Sequence, residues 1–401
     1  MNGKNIVLGV TGSIAAYKAA ELVRLFKKRG YDVKVVLTKS GSEFITPLTL
    51  ETLSKNPVVS DMFVRETPYE VEHISLAKWA DAFLVAPATA NFLGKYANGI
   101  ADDFLTTTVM ATRAPVIIAP AMNTAMYESP ANQANMKTLT ERGVYFSEPD
   151  EGELACGDTG RGRMADPADI VSFTERILNI KKDLCGKKVL VTAGATIEDI
   201  DPVRYITNRS TGKMGAKLAR ACSERGADVC LVAGESAEAA VPSSVRTIRV
   251  RSAEDMCAAV HAEIEGCDIF ISAAAPADFT PANYSDKKIK KTTGTDNLIL
   301  ELERTTDILK SVAENKNGRI HIGFAAETDN TEENALKKLS DKNLDAIVLN
   351  DVSKPGRGFA ADTNAVTWFS ANCAPADSGL KQKSEIAHWI IDRILELDGN
   401  S

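Results

Sequence analysis

The sequence has no pair of cysteines spaced for a zinc knuckle or a dithiol redox motif. Its seven cysteines (Cys156, Cys185, Cys222, Cys230, Cys257, Cys267 and Cys373) stand singly. An odd, dispersed set fits free thiols in a reducing compartment. Histidine is scarce as well: His73, His261, His321 and His388 are too far apart in sequence to suggest a local metal site. No apolar run reaches 18 residues, which excludes a spanning helix. The short run after Lys4, Ile6 to Val10, breaks at Thr11-Gly12-Ser13 and turns amphipathic, so it reads as a buried strand rather than a signal peptide. Excess charge of one sign is also lacking. A formal net charge of −7 over 401 residues argues against a nucleic-acid binder. Small molecules and other copies of the chain remain as expected partners, with no nucleic acid, no membrane and a cytoplasmic location.

What is present is an ordinary globular mixture, 44% hydrophobic and 25% charged, in a chain long enough for two domains. Short apolar runs alternate with helical spacing. Ile6 to Val10, Val33 to Leu37, Phe83 to Ala86 and Val116 to Ala119 read as buried strands, and Ile14 to Arg29 as an amphipathic helix. The alternation starts again at Lys187 to Val191 and continues through Val229 to Val232, Ile269 to Ser272, Ile320 to Phe324 and Ala346 to Leu349. Strands alternating with helices predict parallel sheets covered on both faces. The expectation is an α/β chain of two three-layer α/β/α domains, residues 1–184 and 185–401. Ligands of such sheets bind beyond the carboxyl ends of the strands, which directs attention to the loops there.

In the first half, Gly9 to Lys18 follows the first strand; its glycines allow close backbone approach, and Ser13 can cap the next helix. Alone this is a tight strand–helix turn, and no G-x-G-x-x-G marks a dinucleotide site. Pro87-Ala88-Thr89-Ala90-Asn91 and Pro120-Ala121-Met122-Asn123 end two further strands with small residues and an asparagine. Small residues let a flat ring lie against the backbone, and asparagine offers both a donor and an acceptor. Gly152 to Pro167 reads as a long glycine-rich loop holding Cys156, functional or simply mobile.

Taken together, His73-Ile74-Ser75, the two proline–asparagine loops and Ala155-Cys156-Gly157-Asp158 resemble the flavin-dependent cysteine decarboxylases across almost the whole first half. The resemblance implies FMN in a flavodoxin-like fold, with contacts at Gly12, Ser13, Thr38, Pro87, Ala88, Thr89 and Asn91, a substrate contact at Met122, and catalytic roles for His73, Asn123 and Cys156. The chemistry suits these residue types. Loss of CO₂ from a cysteine Cα needs an electron sink, which a C=S group β to the carboxylate provides once the flavin has oxidised the thiol carbon. His73 would position or deprotonate the thiol, Asn123 would hold the carboxylate, and Cys156 would return the last proton. Singly, His73 is as well explained as a helix-capping or core histidine and Cys156 as an incidental thiol.

In the second half, Ser210-Thr211-Gly212-Lys213 imitates a Walker A motif. It fails, because Thr207 stands where the first glycine belongs and Met214 follows the lysine. Ser210 or Thr211 is then expected to cap a helix running to about Arg225. Ser272, Tyr284 and Lys288 imitate a short-chain dehydrogenase, but Pro276 and Pro281 break the segment that would carry the tyrosine and lysine on one helix. The basic run Lys287 to Lys291 is either a solvated loop or a phosphate-binding one.

The segments Asp201 to Gly215, Ala273 to Asp278, Lys288 to Lys291, Gly323 to Thr328 and Lys342 to Asp345 resemble the phosphopantothenate–cysteine ligases, and the fused order resembles the bacterial bifunctional family whose ligase uses CTP. The resemblance implies a Rossmann-like nucleotide-binding domain that joins 4'-phosphopantothenate to cysteine. It also implies nucleotide or substrate contacts at Ala275, Asp278, Thr306, Asp307, Ile308, Leu309, Phe324, Lys338 and Lys342. Thr305-Thr306-Asp307-Ile308 stands where the family often has Asn-Pro-Asp-Ile. Mg²⁺ would accompany CTP at Asp278, Lys288 would serve nucleotidyl transfer, and Arg204 and Asn208 would hold the acyl-nucleotide. A homo-oligomer through both domains is expected. The rival readings are a flavin-holding regulatory relative and a flavin enzyme acting on a peptide C-terminus or a prenyl group.

Overall fold

The computed structural model describes residues 4–62, 71–153, 159–235, 237, 241–290, 298–313, 315–327, 331–351, 361–371 and 373–398. It divides into two compact units, Met1–Ile180 and Lys181–Ser401.

The first unit holds β1 (Asn5–Val10), β2 (Asp32–Leu37), β3 (Val58–Val59), β4 (Ala82–Ala88), β5 (Val116–Pro120) and β6 (Tyr145–Phe146) in one sheet of order β3-β2-β1-β4-β5-β6. All its pairings are parallel. Leaving aside the two-residue β3, the remaining order is that of a flavodoxin-like sheet, which reverses direction between β1 and β4. The strands are near-continuous apolar runs because both faces are covered: Ile6, Leu8 and Val10 pack into one cluster, and Val7, Phe83 and Val85 into the other. The covering helices are α1 (Lys18–Lys28), α2 (Pro47–Ser54), α3 (Glu72–Trp79), α4 (Ala90–Ala97), α5 (Phe104–Ala111), α6 (Thr124–Glu128), α7 (Pro130–Glu141) and α8 (Pro167–Leu178). The single helix expected over Ile14 to Arg29 is a 3₁₀ turn, Ile14–Tyr17, followed by α1. Part of the expected glycine-rich loop is a hairpin of β7 (Asp150–Glu153) and β8 (Thr159–Arg163).

The second unit contains β9 (Lys188–Ala193), β10 (Ile197–Asp201), β11 (Arg204–Thr207), β12 (Asp228–Gly234), β13 (Arg246–Val250), β14 (Ile269–Ser272), β15 (Phe279–Pro281), β16 (Leu302–Arg304), β17 (Ile320–Glu327) and β18 (Ala346–Asp351). These are followed by β19 (Thr363–Asn364), β20 (Val366–Ser370), β21 (Cys373–Asp377) and β22 (Lys381–Gln382). Its main sheet has the order β13-β12-β9-β14-β17-β18-β20-β21. The first six are parallel in the Rossmann order, and β20 and β21 are added by antiparallel pairings, β20 running against the six and β21 back along them. The helices are α9 (Lys213–Glu224), α10 (Ala253–Glu263), α11 (Ile308–Ala313), α12 (Thr331–Asp341) and α13 (Lys383–Asp398). α9 lies unusually close to the sheet: a Cβ on Gly215 would come within 2.5 Å of Ala193 Cβ. No helix among the described residues is long and apolar enough to cross a membrane.

Candidate active sites

A cavity of about 1110 Å³ lies at the carboxyl ends of β1, β2, β4 and β5, and Gly12, Ser13, Thr38, Thr89, Asn91, Met122 and Asn123 all line it. The loops are locked to one another by the backbone. Thr11 is buried, donates from Oγ1 to Pro87 O at 2.8 Å, and accepts from Thr89 N–H at 3.1 Å. Thr38 Oγ1 accepts from Gly41 N–H at 3.1 Å. Gly12 is required by proximity, since a Cβ there would meet Ser40 Cβ at 2.5 Å. Three of the loops also cap helices: Ser13 accepts from Ala15 N–H, Thr89 from Phe92 N–H, and Asn123 Oδ1 from Ala125 N–H at 2.8 Å.

Other expected residues sit elsewhere. Pro87 and Ala88 are the buried end of β4, behind the wall rather than in it. His73 is half-buried in the first turn of α3, edge-on to Phe104 (ring centroids 6.3 Å apart), and is not among the lining residues, although Asp103 beside Phe104 is. Cys156 lies outside the described residues. The hairpin on either side of it brings Gly162 and Arg163 into the wall. Gly162 O accepts from Met122 N–H at 3.0 Å. With φ +138° and Met122 O only 2.3 Å from where a Cβ would be, that position demands glycine. Lys18, Lys95 and Arg163, none of them an expected site residue, give the cavity cationic groups. Burial, and then Arg163, lower the Lys18 ammonium below its ordinary value, whereas a hydrogen bond to Asp102 raises that of Lys95. A cavity of this size, with small-residue loops on one side and cationic groups on another, fits an FMN-sized anion.

The second unit has a cavity of about 610 Å³ at the carboxyl ends of β14, β17 and β18. Asn208, Ala275, Asp278, Phe324 and Lys338 line it, as expected residues. Asn208 spends its Nδ2 on Ala275 O and Pro276 O at 3.1 and 2.9 Å, so what it offers the cavity is its Oδ1 acceptor rather than a donor. The loop 207–215 forms the opposite wall. Here the structure corrects the expected cap: the N-cap of α9 is Gly212, in the left-handed region at φ +71°, with no side chain to close the first turn. A Cβ on Gly212 would strike Ala237 Cβ at 2.6 Å, so the N-cap position itself has no room for a side chain. The open helix N-terminus is suited to an anion. Asn350 Oδ1, also on the wall, is buried with no hydrogen-bond partner among the described residues.

The remaining expected residues do not line this cavity. Arg204 is paired with the buried Asp201, which it holds well below the usual carboxylate range, and it donates to Ile289 O at 3.0 Å. Lys288 is exposed on the loop that this contact secures. Ile308 and Leu309 pack into the core, and Asp307 pairs with Lys342 at 2.8 Å while accepting from Lys310 N–H. Thr306 is exposed. Lys213 and Lys383, on the wall at the starts of α9 and α13, were not singled out as site residues by the sequence reading. Among the described residues no group of three or more His, Cys, Asp or Glu could hold a metal. Asp278 is thus suited only to an Mg²⁺ held mainly by substrate phosphates.

Residues 1–179 match the family described as Flavoprotein, and residues 184–397 the DNA/pantothenate metabolism flavoprotein C-terminal domain. The coenzyme A biosynthesis bifunctional protein CoaBC of Bacillus subtilis (strain 168) is 46% identical over 399 residues, 99% of this chain and 98% of that one. The protein of the same name from Vibrio vulnificus (strain CMCP6) is 45% identical over 399 residues, 99% of each chain. A crystal structure of the C-terminal domain of a CoaBC is 38% identical at a TM-score of 0.47, covering 55% of this chain and 100% of that one.

Proposed function

Since the chain belongs to the bifunctional coenzyme A biosynthesis protein family, we propose that its second unit joins 4'-phosphopantothenate to cysteine and its first unit decarboxylates the product. The observation that carries this reading is the pair of cavities, each at the carboxyl edge of its own parallel sheet. One is sized and charged for a flavin nucleotide, and the other is walled by an open helix N-terminus and three lysines.

In the ligase cavity the pantothenate carboxylate attacks the α-phosphorus of CTP, pyrophosphate leaves with the bonding pair, and cysteine's amine then displaces CMP from the acyl-cytidylate. The choice of CTP rests on family membership. The α9 amides and Lys338, on the cavity wall, would face the negative charge that grows on phosphate, and Asp278 would share an Mg²⁺ with it. Bound Mg²⁺ would supply charge neutralisation of the phosphates. Ala275 and Asn208 form the wall against which the acyl group lies. Arg204 acts at one remove, by securing the loop that carries Lys288.

In the first unit, bound FMN would supply the two-electron oxidation of the thiol carbon and the later return of the electrons. Gly12, Ser13, Thr38, Thr89 and Asn91 form its cradle. Asn123, on the cavity wall with its Oδ1 accepting from Ala125 N–H, would hold the substrate carboxylate. Family membership assigns the positioning of the thiol to His73, which lies outside the wall of this cavity, and delivery of the final proton to Cys156. Ile14, Tyr17 and Met126 are 58%, 61% and 51% exposed on the cavity wall, an apolar surface that a second copy would cover in a homo-oligomer.

The test is complete turnover. The full chain with FMN, Mg²⁺, CTP, phosphopantothenate and cysteine should release pyrophosphate and CO₂ in equal amounts and form phosphopantetheine. A yellow preparation that releases pyrophosphate but no CO₂ would leave the regulatory alternative for the first unit.

A further inference from the structure

Among the described residues, Asp278 is the only carboxylate on the wall of the ligase cavity. It stands on no helix or strand: it ends the loop 273–278 that joins β14 to β15. Loops are the mobile parts of a fold unless their backbone groups are tied down, and here they are tied one after another. Ala274 N–H donates to Thr192 Oγ1 at 3.2 Å, and Ala275 N–H to Gly194 O at 2.8 Å. Asn208 holds the carbonyls of Ala275 and Pro276. Ala277, 4% exposed, is gripped from both sides. Its N–H donates to Oγ1 of the fully buried Thr196 at 2.9 Å, and its carbonyl accepts from Oγ1 of Thr305 at 2.6 Å. The antiparallel pairing of Phe279 with Arg304 puts Thr305 opposite Asp278, and Thr305 N–H donates to Asp278 O at 3.1 Å. The two peptide units that flank the Cα of Asp278 are thus both held by one residue. Thr196 cannot take over the second bond: its single proton goes to Glu198 Oε1 at 2.9 Å, an oxygen that also accepts from Ala253 N–H at the start of α10.

We propose that Thr305 is a positioning residue for nucleotidyl transfer: by holding the carbonyls of Ala277 and Asp278 it fixes where the Asp278 carboxylate stands in the cavity. The proposal deepens the ligase reading above and rests on it. Thr305 is not on the cavity wall, so it acts through Asp278 and not on the nucleotide. A carbonyl can only accept, so the 2.6 Å contact must use the threonine's one hydroxyl proton, and no other side chain replaces it. Thr305 stands where the family often has asparagine, and either side chain carries a donor for the Ala277 carbonyl. The placement matters because a shift of ~1 Å imposed from outside a site can cost ~10² in rate.

The test uses the full chain and the variants Thr305→Val, Thr305→Ser and Asp278→Asn. Valine keeps the shape of threonine and the backbone N–H but lacks the hydroxyl. In Thr305→Val, pyrophosphate release from CTP and phosphopantothenate should slow by about tenfold, less than for a full 1 Å misplacement because the bond to Asp278 O remains. Thr305→Ser should recover most of the rate. The midpoint of thermal unfolding should move by no more than about 2–4 °C, the scale of one lost hydrogen bond in a unit of this size. The double variant separates positioning from a merely structural role. Thr305→Val added to Asp278→Asn should cost little more than Asp278→Asn alone, because no carboxylate is left to position. The cycle is run on the release rate and on CTP binding by calorimetry, so an inactive Asp278→Asn still decides it. Additive losses overturn the proposal, as do a parental rate in Thr305→Val or a Thr305→Ser as slow as Thr305→Val. An Asp278→Asn chain that binds CTP and releases pyrophosphate like the parent overturns the proposal and leaves the ligase reading standing. A parent chain that releases no pyrophosphate overturns both.

Discussion

Arg204 donates from Nη2 to the carbonyl of Ile289 at 3.0 Å, while the N–H of Ile289 donates to Asp201, the carboxylate that Arg204 itself grips. The three groups form a clasp. It ties the loop holding Lys287, Lys288 and Lys290 to the β10–β11 hairpin, and Ser285 N–H adds a bond to Ile200 O at 3.1 Å. Arg204 is therefore expected to act on the ligase reaction through this loop rather than by touching substrate.

Arg204→Ala should release that loop. Trypsin should then cut at Lys287, Lys288 or Lys290 well before the parent chain is cut, and pyrophosphate release should fall by about 10²-fold, the scale of a small misplacement. Decarboxylation of phosphopantothenoylcysteine should be unaffected. An unchanged tryptic pattern alongside lost activity would return Arg204 to the substrate.

Asn208→Asp replaces two donated hydrogen bonds with a carboxylate facing the oxygens of Ala275 and Pro276. Asn208 is exposed, so solvent limits the cost to about 1 kcal/mol of stability, at the low end for an unmade hydrogen bond. The larger effect is on the loop that presents Ala275 and Asp278. Both half-reactions should slow together, measured as pyrophosphate release and as amide formation from preformed acyl-cytidylate. Accumulation of the acyl-cytidylate alone would show that Asn208 serves only the second step.

The sheets were legible in the sequence because parallel strands buried on both faces leave unbroken apolar runs such as Ile6 to Val10 and Phe83 to Ala86. The loops after them were legible by rule, since such sheets bind ligands at that edge. Positions that depend on distant contacts were not. Gly212 rather than Ser210 or Thr211 caps α9, and Ala237 leaves that position no room for a side chain. Arg204 is spent on Asp201 and Ile289, far from each other in sequence. Lys383 has no local signature: only the packing of α13 on α9 brings it to the cavity, and a lysine opening an amphipathic helix is otherwise an ordinary surface residue.

Gly12→Ala tests the flavin cradle. The added methyl would lie 2.5 Å from Ser40 Cβ and 3.1 Å from the Ser40 carbonyl, so the loops after β1 and β2 must part. Affinity for FMN should drop about tenfold or more, equivalent to about 1.4 kcal/mol. Titration of flavin-stripped chain with FMN, followed by flavin fluorescence, reads this directly. Unchanged affinity would place the flavin away from Gly12.

His321 gives a prediction about stability rather than activity. It sits on β17 between β14 and β18, fully buried, with both ring nitrogens unpartnered among the described residues and its ring edge-on to Phe270 at 5.8 Å. Burial first, then the charges of Arg319 and Lys316, hold it down to about 4, against the opposing pull of Asp345. The folded chain thus refuses a proton that the unfolded chain accepts below about pH 6.5. Stability from this residue is complete above that pH and is lost progressively as pH falls toward 4. Linkage puts the loss at about 2 kcal/mol at pH 5 and about 3 kcal/mol at pH 4. His321→Phe keeps a ring beside Phe270 and removes the titration, so unfolding measured at pH 7.5 and at pH 5 should differ by less in the variant, by about 2 kcal/mol. The chain has three tryptophans, and Trp368 and Trp389 lie in the second unit. In a Trp79→Phe background their fluorescence therefore reports that unit alone. Equal pH dependence in the two chains would mean that His321 finds a proton-accepting partner in the folded state.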